Sequence, residues 1–170
     1  MTTRVKLQSA QNNKGLRPAE GFIFESGKTY VHSVGLSCAF RQWRAKSHCR
    51  FLHGYSLQVT FTFRSQNLSY ENWVVDFGAL KSLKGWVEDW FDHKTLVAED
   101  DPHISTFRDM QARGMIEMRE LPHVGMEAFA MYIYHFAEQW LIDNGFNHAT
   151  LECVEVKEHE SNFARYRRNS

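Results

Sequence analysis

The sequence predicts an α+β fold in which two helices pack on one face of a four-stranded antiparallel sheet, in the order ββααββ. The first observation behind this prediction is an alternation of apolar and polar side chains over residues 55–63, the period of a half-buried strand. The second is a pair of helical patterns, over residues 77–91 and 126–141, in which apolar side chains recur every three or four positions. The third is that strand-forming segments both precede and follow the two helical patterns.

The first half of the chain supplies two strands and one helix. Residues 28–40 contain tyrosine and valines that favour extended backbone, and they are predicted to form the first strand. Residues 55–63 form the second strand. Asp76 stands immediately before the first helical pattern, where its carboxylate is suited to accept hydrogen bonds from the first exposed amides of the helix.

The second half begins with residues 98–125, which are predicted to be irregular, with 115–119 as a candidate for a short extra strand. The second helix is expected to end near Asn144 and Gly145, because these residue types are common at helix C-termini. The closing pair of strands is predicted at residues 149–158 and 163–167.

The length of 170 residues suits a single domain with one core. Residues 1–27 are polar and interrupted by asparagine, glycine and proline, so we interpret them as an N-terminal arm and residues 28–170 as the domain. A four-stranded sheet covered by helices on one face leaves the other face and both edges open. We therefore expect a homo-oligomer.

Composition narrows the location and the partners. Basic and acidic residues balance at 20 each, which argues against nucleic acid as a partner. The sequence has no apolar run long enough to span a bilayer and no secretory signal pattern, so no membrane association is expected. The three cysteines are an odd number without paired spacing, which favours reduced thiols and a cytoplasmic protein.

Cys49 is the first candidate for chemistry. Side chains that favour a thiolate surround it in the sequence, namely Arg44, Lys46, His48 and Arg50. The alternative is a structural role as a small hydrophobic residue at the start of a strand. The basic run over residues 41–50 is itself a candidate to receive a phosphate chain, and otherwise it is a solvated loop.

Two further candidates are carboxylates. Asp92 precedes His93 at the end of the first helix, and a carboxylate beside an imidazole fixes its tautomer and supports acid–base chemistry. The alternative is an idle histidine near a helix C-terminus. Glu158 ends a predicted strand, where it can accept two parallel N–H bonds from the amidine edge of a pterin or guanine, or remain a solvated strand residue.

The order of these motifs along the chain resembles the 6-pyruvoyl/6-carboxy-tetrahydropterin synthase family. The resemblance covers roughly residues 30–168, with a longer segment than usual before the second helix, and the spacing from Cys49 to His53 and Gly54 is more similar to the 6-carboxy branch, which feeds queuosine and other deazapurines. The segments that carry the resemblance are Cys49–Gly54, Trp73–Lys81, Phe91–Leu96 and Val156–Glu158.

The resemblance implies the tunnelling fold, in which sheets from several subunits form a barrel with sites between subunits. It implies a lyase acting on 7,8-dihydroneopterin triphosphate or a related reduced pterin. Cys49 then falls on the catalytic thiol, and Asp92 and His93 fall on the pair that manages proton transfers with it. Glu158 falls on the carboxylate that anchors the pterin, and Glu127 matches a glutamate near the pterin pocket, although the Pro-Thr that precedes it in the family is not intact.

The resemblance also implies zinc held by three histidines, and here the sequence departs from the family. Only His53 is present at a matching metal position, whereas the other two positions hold Phe40 and Tyr55. One imidazole is insufficient for a zinc that needs three protein ligands and an open fourth position. The sequence therefore predicts that the three-histidine zinc is not held. Replacement ligands remain open among Cys38, His48 and His32.

Three functions remain open at this point. The first is a 6-carboxy-tetrahydropterin synthase-like lyase. The second is a pterin-binding or assembly protein of the same fold without lyase activity. The third is an enzyme of the same scaffold that acts on another ring with an amidine edge.

Overall fold

The computed structural model describes residues 17–18, 20–30, 36–159 and 161–169. Within them the chain forms eight strands, three α-helices and a 3₁₀ turn at His48–Arg50. In chain order the elements are β1 Phe24–Tyr30, β2 Ser37–Phe40, β3 His53–Ser56, β4 Gln58–Ser65, α1 Lys81–Phe91, β5 Lys94–Ala98, α2 Ile104–Ala112, β6 Met118–Leu121, α3 Met126–Asp143, β7 Thr150–His159 and β8 Asn162–Arg167.

The strands form two sheets in the described part of the chain. Each sheet has four strands, and the one with the longer strands is called the larger sheet below. It is antiparallel throughout, in the order β1-β4-β7-β8, and matches the predicted four-stranded sheet. The second has the order β3-β2-β5-β6, with β2, β5 and β6 parallel to one another. The α+β class is confirmed, but the sequence did not predict a second sheet or a third helix.

Both predicted N-terminal strands are divided between the two sheets. The predicted strand at 28–40 overlaps β1 and β2, and the predicted strand at 55–63 overlaps β3 and β4. The chain changes sheets at Leu57, whose N–H donates to the carbonyl oxygen of Leu36 at 3.0 Å. Alternation continues through this point because Leu57 still points into the core, so the period does not reveal the change of partner.

The N-terminal boundary differs from the sequence interpretation. β1 begins at Phe24 and pairs with β4 from Phe24 opposite Ser65 onward, so residues 24–27 belong to the sheet. Residues 1–16 of the predicted arm lie outside the described part of the chain, as does His32.

The prediction of irregular structure over residues 98–125 is wrong for much of that segment. It contains α2 and β6, and the strand lies at Met118–Leu121 rather than at 115–119. A small apolar cluster of Val97, Phe107 and Met118 holds α2 against β5 and β6. The strand β5 was missed because every residue in it is buried, Lys94 and Thr95 included, so it lacks the alternation of a half-buried strand.

The first helix begins four residues later than its apolar pattern. α1 starts at Lys81, and Phe77 remains exposed. The Asp76 carboxylate accepts a hydrogen bond from the amide of Gly78 at 2.7 Å, which stabilises the turn before the helix rather than the helix itself.

The principal core lies between the larger sheet and helices α1 and α3. Phe129 and Ile133 on α3 are fully buried, as are Phe61 and Phe63 on β4. The rings of Trp86 and Phe136 stack at 3.7 Å and join the two helices. None of the helices in the described residues is long and apolar enough to cross a membrane.

The predicted end of the second helical pattern is confirmed by a Schellman motif. The amide of Gly145 donates to the carbonyl of Ile142, and the amide of Phe146 donates to that of Leu141. Gly145 has φ +77°, in the left-handed region that costs other residues energy.

Two glycine substitutions should have opposite effects on stability. Gly145→Ala should destabilise the protein by about 1–2 kcal/mol because alanine is strained at positive φ. Gly85→Ala should stabilise it by about 0.5–1 kcal/mol, because Gly85 lies within α1 with open space around its Cα and alanine favours helix. Urea unfolding of both variants measures the two changes, and a neutral Gly145→Ala would contradict the strain argument.

Candidate functional site

Phe40 and Tyr55 form the centre of the candidate site. β2 and β3 pair with Cys38 opposite Tyr55 and with Phe40 opposite His53, so these four side chains share one face. The Phe40 and Tyr55 rings stack at 4.1 Å with an angle of 20°, and Phe129 on α3 meets Phe40 edge-on at 5.2 Å. Phe40 is only 3% exposed, so its ring is part of the core.

Several candidate groups lie near enough to Tyr55 to affect its pKa. Burial raises the pKa of Tyr55, and the nearby ionisable groups of Glu158, Cys49 and Cys38 raise it further. The phenol therefore stays protonated at neutral pH and can donate a hydrogen bond. The structure thus brings two residues predicted from distant parts of the sequence, Cys49 and Glu158, into the neighbourhood of Tyr55.

Cys38 is a buried thiol with little reactivity. Its pKa is raised to about 12, first by burial and then by the charge of Asp92. A thiolate is the form that binds metal or attacks an electrophile, and this environment disfavours it. Cys38 therefore lies between Tyr55 and Asp92 as a neutral packing residue.

His53 contacts the turn that carries Cys49. Its Nε2 atom lies 3.0 Å from the carbonyl oxygen of His48. A carbonyl oxygen only accepts, so this contact assigns the proton to Nε2 and leaves Nδ1 as the atom with a lone pair. The ring of His53 lies 6.1 Å from that of His48 and 6.3 Å from that of Tyr55.

Cys49 lies in the 3₁₀ turn between β2 and β3 and is half-buried. Its amide donates to the Ser47 hydroxyl at 3.4 Å, and its carbonyl accepts from the amide of Gln42 at 2.8 Å. The turn closes with the amide of Phe51 donating to His48. These backbone bonds hold the turn that carries Cys49 in a defined conformation.

The loop before this turn is fastened by two aspartates that follow β5. Asp101 is buried and accepts two hydrogen bonds from the Arg41 guanidinium, at 2.8 and 2.6 Å. Burial alone would raise the pKa of Asp101, but the bonds from Arg41 and from the His103 amide outweigh it and lower the pKa. Asp100 pairs with Arg44 and accepts the Trp43 indole N–H at 3.0 Å.

Gln42 joins the Cys49 loop to the start of α3. Its side-chain amide donates to the carbonyl oxygen of Val124 at 2.7 Å, while its backbone amide bonds Cys49. Gly125 follows with φ +126°, and a side chain there would collide with the Gln42 amide. Glu127 is exposed in the first turn of α3, next to this bridge.

Asp92 and His93 form the predicted pair. His93 Nδ1 lies 3.0 Å from Asp92 Oδ2, and the other carboxylate oxygen accepts the Ser37 amide at 3.0 Å. Burial would raise the pKa of Asp92, but its hydrogen bonds to Ser37 and His93 lower it. His93 has φ +57° and its amide donates to Ser37 at 2.6 Å, which holds the 81% exposed ring in an uncommon backbone conformation.

Glu158 lies at an irregularity in β7. Lys157 pairs with Phe163 but His159 pairs with Asn162, so Glu158 is an extra residue opposite β8. Such a bulge turns a side chain out of the regular alternation. One carboxylate oxygen of Glu158 accepts from Asn162 at 3.3 Å, and the other has no hydrogen-bond partner in the described residues.

Within one chain the predicted residues fall into two groups. Cys49 and Glu158 lie around Tyr55 on β3, whereas Asp92 and His93 lie before β5, with β2 between these strands. Two strand spacings amount to about 10 Å. An open groove of about 530 Å³ lies on the His93 side, bordered by Ser37, Lys94, Met115 and Glu117 among others.

Four residues of the site were not found from the sequence. Asp100 and Asp101 contact the Cys49 loop from a distant part of the chain, Gln42 links this loop to Val124, and Ser37 anchors the Asp92–His93 pair. The adjacent aspartates after an apolar run were the available signal for an anchor, but only the fold gives their partners. No group of three or more His, Cys, Asp or Glu side chains in the described residues is arranged to hold a metal ion.

Comparison with solved structures agrees on this fold. An uncharacterized protein from Wolinella succinogenes superposes with a TM-score of 0.75 at 18% identity, over 88% of this chain and 100% of that one. A 6-pyruvoyltetrahydropterin synthase from Plasmodium vivax gives 0.61 at 19% identity, over 88% of this chain and 99% of that one. These likenesses define the fold as that of the tetrahydropterin synthases.

The sequence comparison identifies the family. A family model described as 6-pyruvoyl tetrahydropterin synthase matches residues 30–169, and the chain belongs to that family. A 6-carboxy-5,6,7,8-tetrahydropterin synthase of Aquifex aeolicus is 28% identical over 130 residues, 73% of this chain and 80% of the relative. The corresponding protein of Rickettsia bellii is 37% identical, but that match spans only 35% of this chain and 44% of the relative.

Replacing Asp101 should unfasten the Cys49 loop. Asp101→Asn leaves the Arg41 guanidinium largely buried without its carboxylate, which should cost about 3–5 kcal/mol at pH 7. The neighbouring Asp100→Asn is the matched control, because its pair with Arg44 is exposed and contributes at most about 1 kcal/mol. Denaturant unfolding of both variants measures the difference.

The ion pair of Asp101 and Arg41 also predicts how the stability of the protein depends on pH. The pKa of Asp101 is lowered in the folded state, so its stabilisation is present above the unfolded value of about 3.9 and is lost as the pH falls through the folded pKa. The gap in stability between wild type and Asp101→Asn should therefore narrow at low pH. A gap that is constant from pH 7 to pH 3 would contradict the ion pair.

Proposed function

We propose that this protein is a pterin-processing lyase similar to 6-carboxy-tetrahydropterin synthase, acting on 7,8-dihydroneopterin triphosphate or a related reduced pterin. The observation that carries the proposal is that Cys49 and Glu158 both lie near enough to Tyr55 to raise its pKa, in a chain of the 6-pyruvoyl tetrahydropterin synthase family. A carboxylate near a thiol and a hydrogen-bond donor suits a ring substrate. The carboxylate can bind one edge of the ring while the thiol accepts a proton from another part of it.

Glu158 is the residue we assign to the pterin ring. The 2-amino and N3 groups of a pterin present two parallel N–H donors, and a carboxylate accepts both in a bidentate arrangement. The bulge at Glu158 and the unpartnered oxygen of its carboxylate support this role. Glu127, in the first turn of α3 beside the Gln42 bridge, is assigned a second role in pterin binding.

Cys49 and the Asp92–His93 pair are assigned to proton transfer. The bond from His93 Nδ1 to Asp92 fixes the tautomer, so that Nε2 faces the exposed side and can exchange a proton with a substrate. Cys49, in the 3₁₀ turn, is assigned as a second proton-accepting group in addition to His93. Asp92, held by the Ser37 amide, orients the imidazole and stabilises its charged form.

The separation of the two groups favours a site shared between subunits. About 10 Å separates Tyr55 from the strand that follows His93, too far for both groups to meet one reacting carbon directly. A second copy of the chain would supply its own Asp92 and His93 to the Cys49 of its neighbour. The outer edges of β1 and β8 have no strand partner in the described residues, which supports assembly through the larger sheet.

We further propose that the three-histidine zinc of the family is not held here. Phe40 offers no lone pair, and its ring is stacked on Tyr55 within the core. Tyr55 would bind a metal only as a phenolate, yet its pKa is raised by burial and by Glu158, Cys49 and Cys38. The donor set therefore does not fit zinc, and the proton transfers above are assigned to protein groups alone.

A second candidate function is a pterin-binding or assembly protein without lyase activity. The stacked Phe40 and Tyr55 rings favour it, because they occupy two positions at which the family resemblance implies zinc-binding histidines. An enzyme acting on another ring with an amidine edge remains consistent with the Glu158 assignment.

The lyase proposal predicts different effects for two single variants. Glu158→Gln should weaken pterin binding by about 2–5 kcal/mol, because one member of a desolvated charge-assisted pair is lost. Cys49→Ala should abolish turnover of 7,8-dihydroneopterin triphosphate while pterin binding persists. Calorimetry and product analysis measure these, with Glu152→Gln, whose carboxylate pairs with Arg64, as a control on the same strand. Binding without turnover in the wild type would favour the second candidate function.

Assembly provides an independent prediction. The purified protein should scatter light as a homo-oligomer, at a multiple of 19.9 kDa. Mixing Cys49→Ala with His93→Ala should restore part of the activity, because mixed oligomers contain sites with one intact half from each variant. A stable monomer at micromolar concentration would contradict the shared site.

The metal proposal predicts less than stoichiometric zinc in the dialysed protein by elemental analysis. Phe40→His combined with Tyr55→His should create zinc binding, because three imidazoles then occupy the family positions with His53. Phe40→His alone is the control, since it supplies only two. Stoichiometric zinc in the wild type would refute the proposal, and a folded double variant that takes up no zinc would show that the strand positions are wrongly matched.

A further inference from the structure

The basic run over residues 41–50 divides into two parts with different surroundings. Arg41 is committed to the buried Asp101, and Arg44 to Asp100. Lys46 and Arg50 lie on or beside the 3₁₀ turn, and neither has a carboxylate within salt-bridge distance in the described part of the chain. With the exposed imidazole of His48 they form what we call the cationic turn, Lys46, His48 and Arg50.

The cationic turn is held in place rather than free. The Arg50 guanidinium lies over the turn, with Nη1 3.5 Å from the Lys46 carbonyl, and it stacks on the Phe51 ring at 4.7 Å. Arg41 donates to the Arg50 carbonyl at 3.4 Å and so ties the turn to Asp101. Ordered cations lose less conformational entropy when they bind an anion than free side chains do.

We propose that the cationic turn binds the phosphate chain of the substrate. The ligand class is a phosphorylated small molecule that carries several negative charges, and the proposal rests on the function proposed above. The turn brackets Cys49, so an anion bound there would hold the attached ring near the thiol and Tyr55. Arginine offers a fork of donors that matches phosphate oxygens, and lysine adds a point charge.

Other anionic partners fit less well. Nucleic acid requires cations that follow a backbone over a long surface, whereas this cluster spans five residues on one turn of a chain without net charge. A single carboxylate would leave one of the two permanent cations uncompensated. A phosphate chain provides enough charge for both within a short reach.

The first test uses inorganic tripolyphosphate with the full-length protein. Wild type should bind it in calorimetry at low salt, and Lys46→Gln combined with Arg50→Gln should weaken the affinity at least tenfold. Lys81→Gln combined with Arg113→Gln is the matched control, because it removes the same charge from exposed positions at the start of α1 and just after α2 and should change the affinity less than twofold. Equal affinity of the two double variants, or no binding by wild type, would overturn the proposal.

The second test measures how the nearby positive charges affect the reaction of Cys49 with charged and neutral reagents. The cations should speed alkylation of Cys49 by anionic iodoacetate relative to neutral iodoacetamide, followed at this residue by mass spectrometry. The ratio of the two rates should fall severalfold in the Lys46→Gln/Arg50→Gln variant and stay at the wild-type value in the control. Saturating tripolyphosphate should lower the wild-type ratio in the same way, and a ratio insensitive to both would overturn the proposal.

A third arm separates this proposal from the lyase proposal. Unphosphorylated 7,8-dihydroneopterin should bind the Lys46→Gln/Arg50→Gln variant as tightly as wild type, and Glu158→Gln should bind tripolyphosphate as tightly as wild type. Loss of tripolyphosphate binding only in the first variant supports the phosphate site even if the protein has no turnover. Equal tripolyphosphate affinity in both variants refutes the phosphate site and leaves the Glu158 assignment standing.

Discussion

The pairing of β2 with its neighbours is the constraint on which the candidate site depends. This strand is only four residues long, yet it carries Phe40 and Cys38 on one face, and its first residue, Ser37, anchors Asp92 and His93. The loop that follows it carries Cys49. Because β2 pairs antiparallel with β3 and parallel with β5, it sets both the position of Tyr55 and the distance of His93 from it.

Ion pairing divides the basic run over residues 41–50 into arginines that have acidic partners and cations that face solvent. Two acidic side chains after β5 neutralise the arginines nearest to β2, and the buried pair of Asp101 and Arg41 fixes the loop geometry. The cations around Cys49 are left to face solvent. A ligand that meets this turn therefore meets a positive surface that already has its shape, which is the arrangement that favours specific binding of an anion.

The aromatic stack makes the centre of the candidate site part of the core. The Phe40 ring stacks on Tyr55 and meets Phe129 on α3, so these rings connect the strands to the helix. The two positions matched to the family's metal ligands therefore contribute packing contacts. Tyr55 is partly buried, and its raised pKa keeps its phenol a neutral hydrogen-bond donor.

The sequence by itself determined the fold class, the larger sheet, the end of α3 and the identity of the family. These features depend on local patterns: alternation in β4, the 3.6-residue period of α3, and the asparagine and glycine of the Schellman motif. The motif order from Cys49 to Glu158 likewise lies in the sequence itself. Local patterns suffice for these features because each one depends on residues that lie close together in the sequence.

Only the tertiary structure decided how the chain divides between two sheets and which groups meet. Alternation through Leu57 is the same whether a strand continues or changes partner, and β5 lacks a period because both its faces are buried. The pairing of Arg41 with Asp101 crosses 60 residues, and the bridge from Gln42 to Val124 crosses 82. Such contacts arise from the packing of distant elements, and no local spacing encodes them.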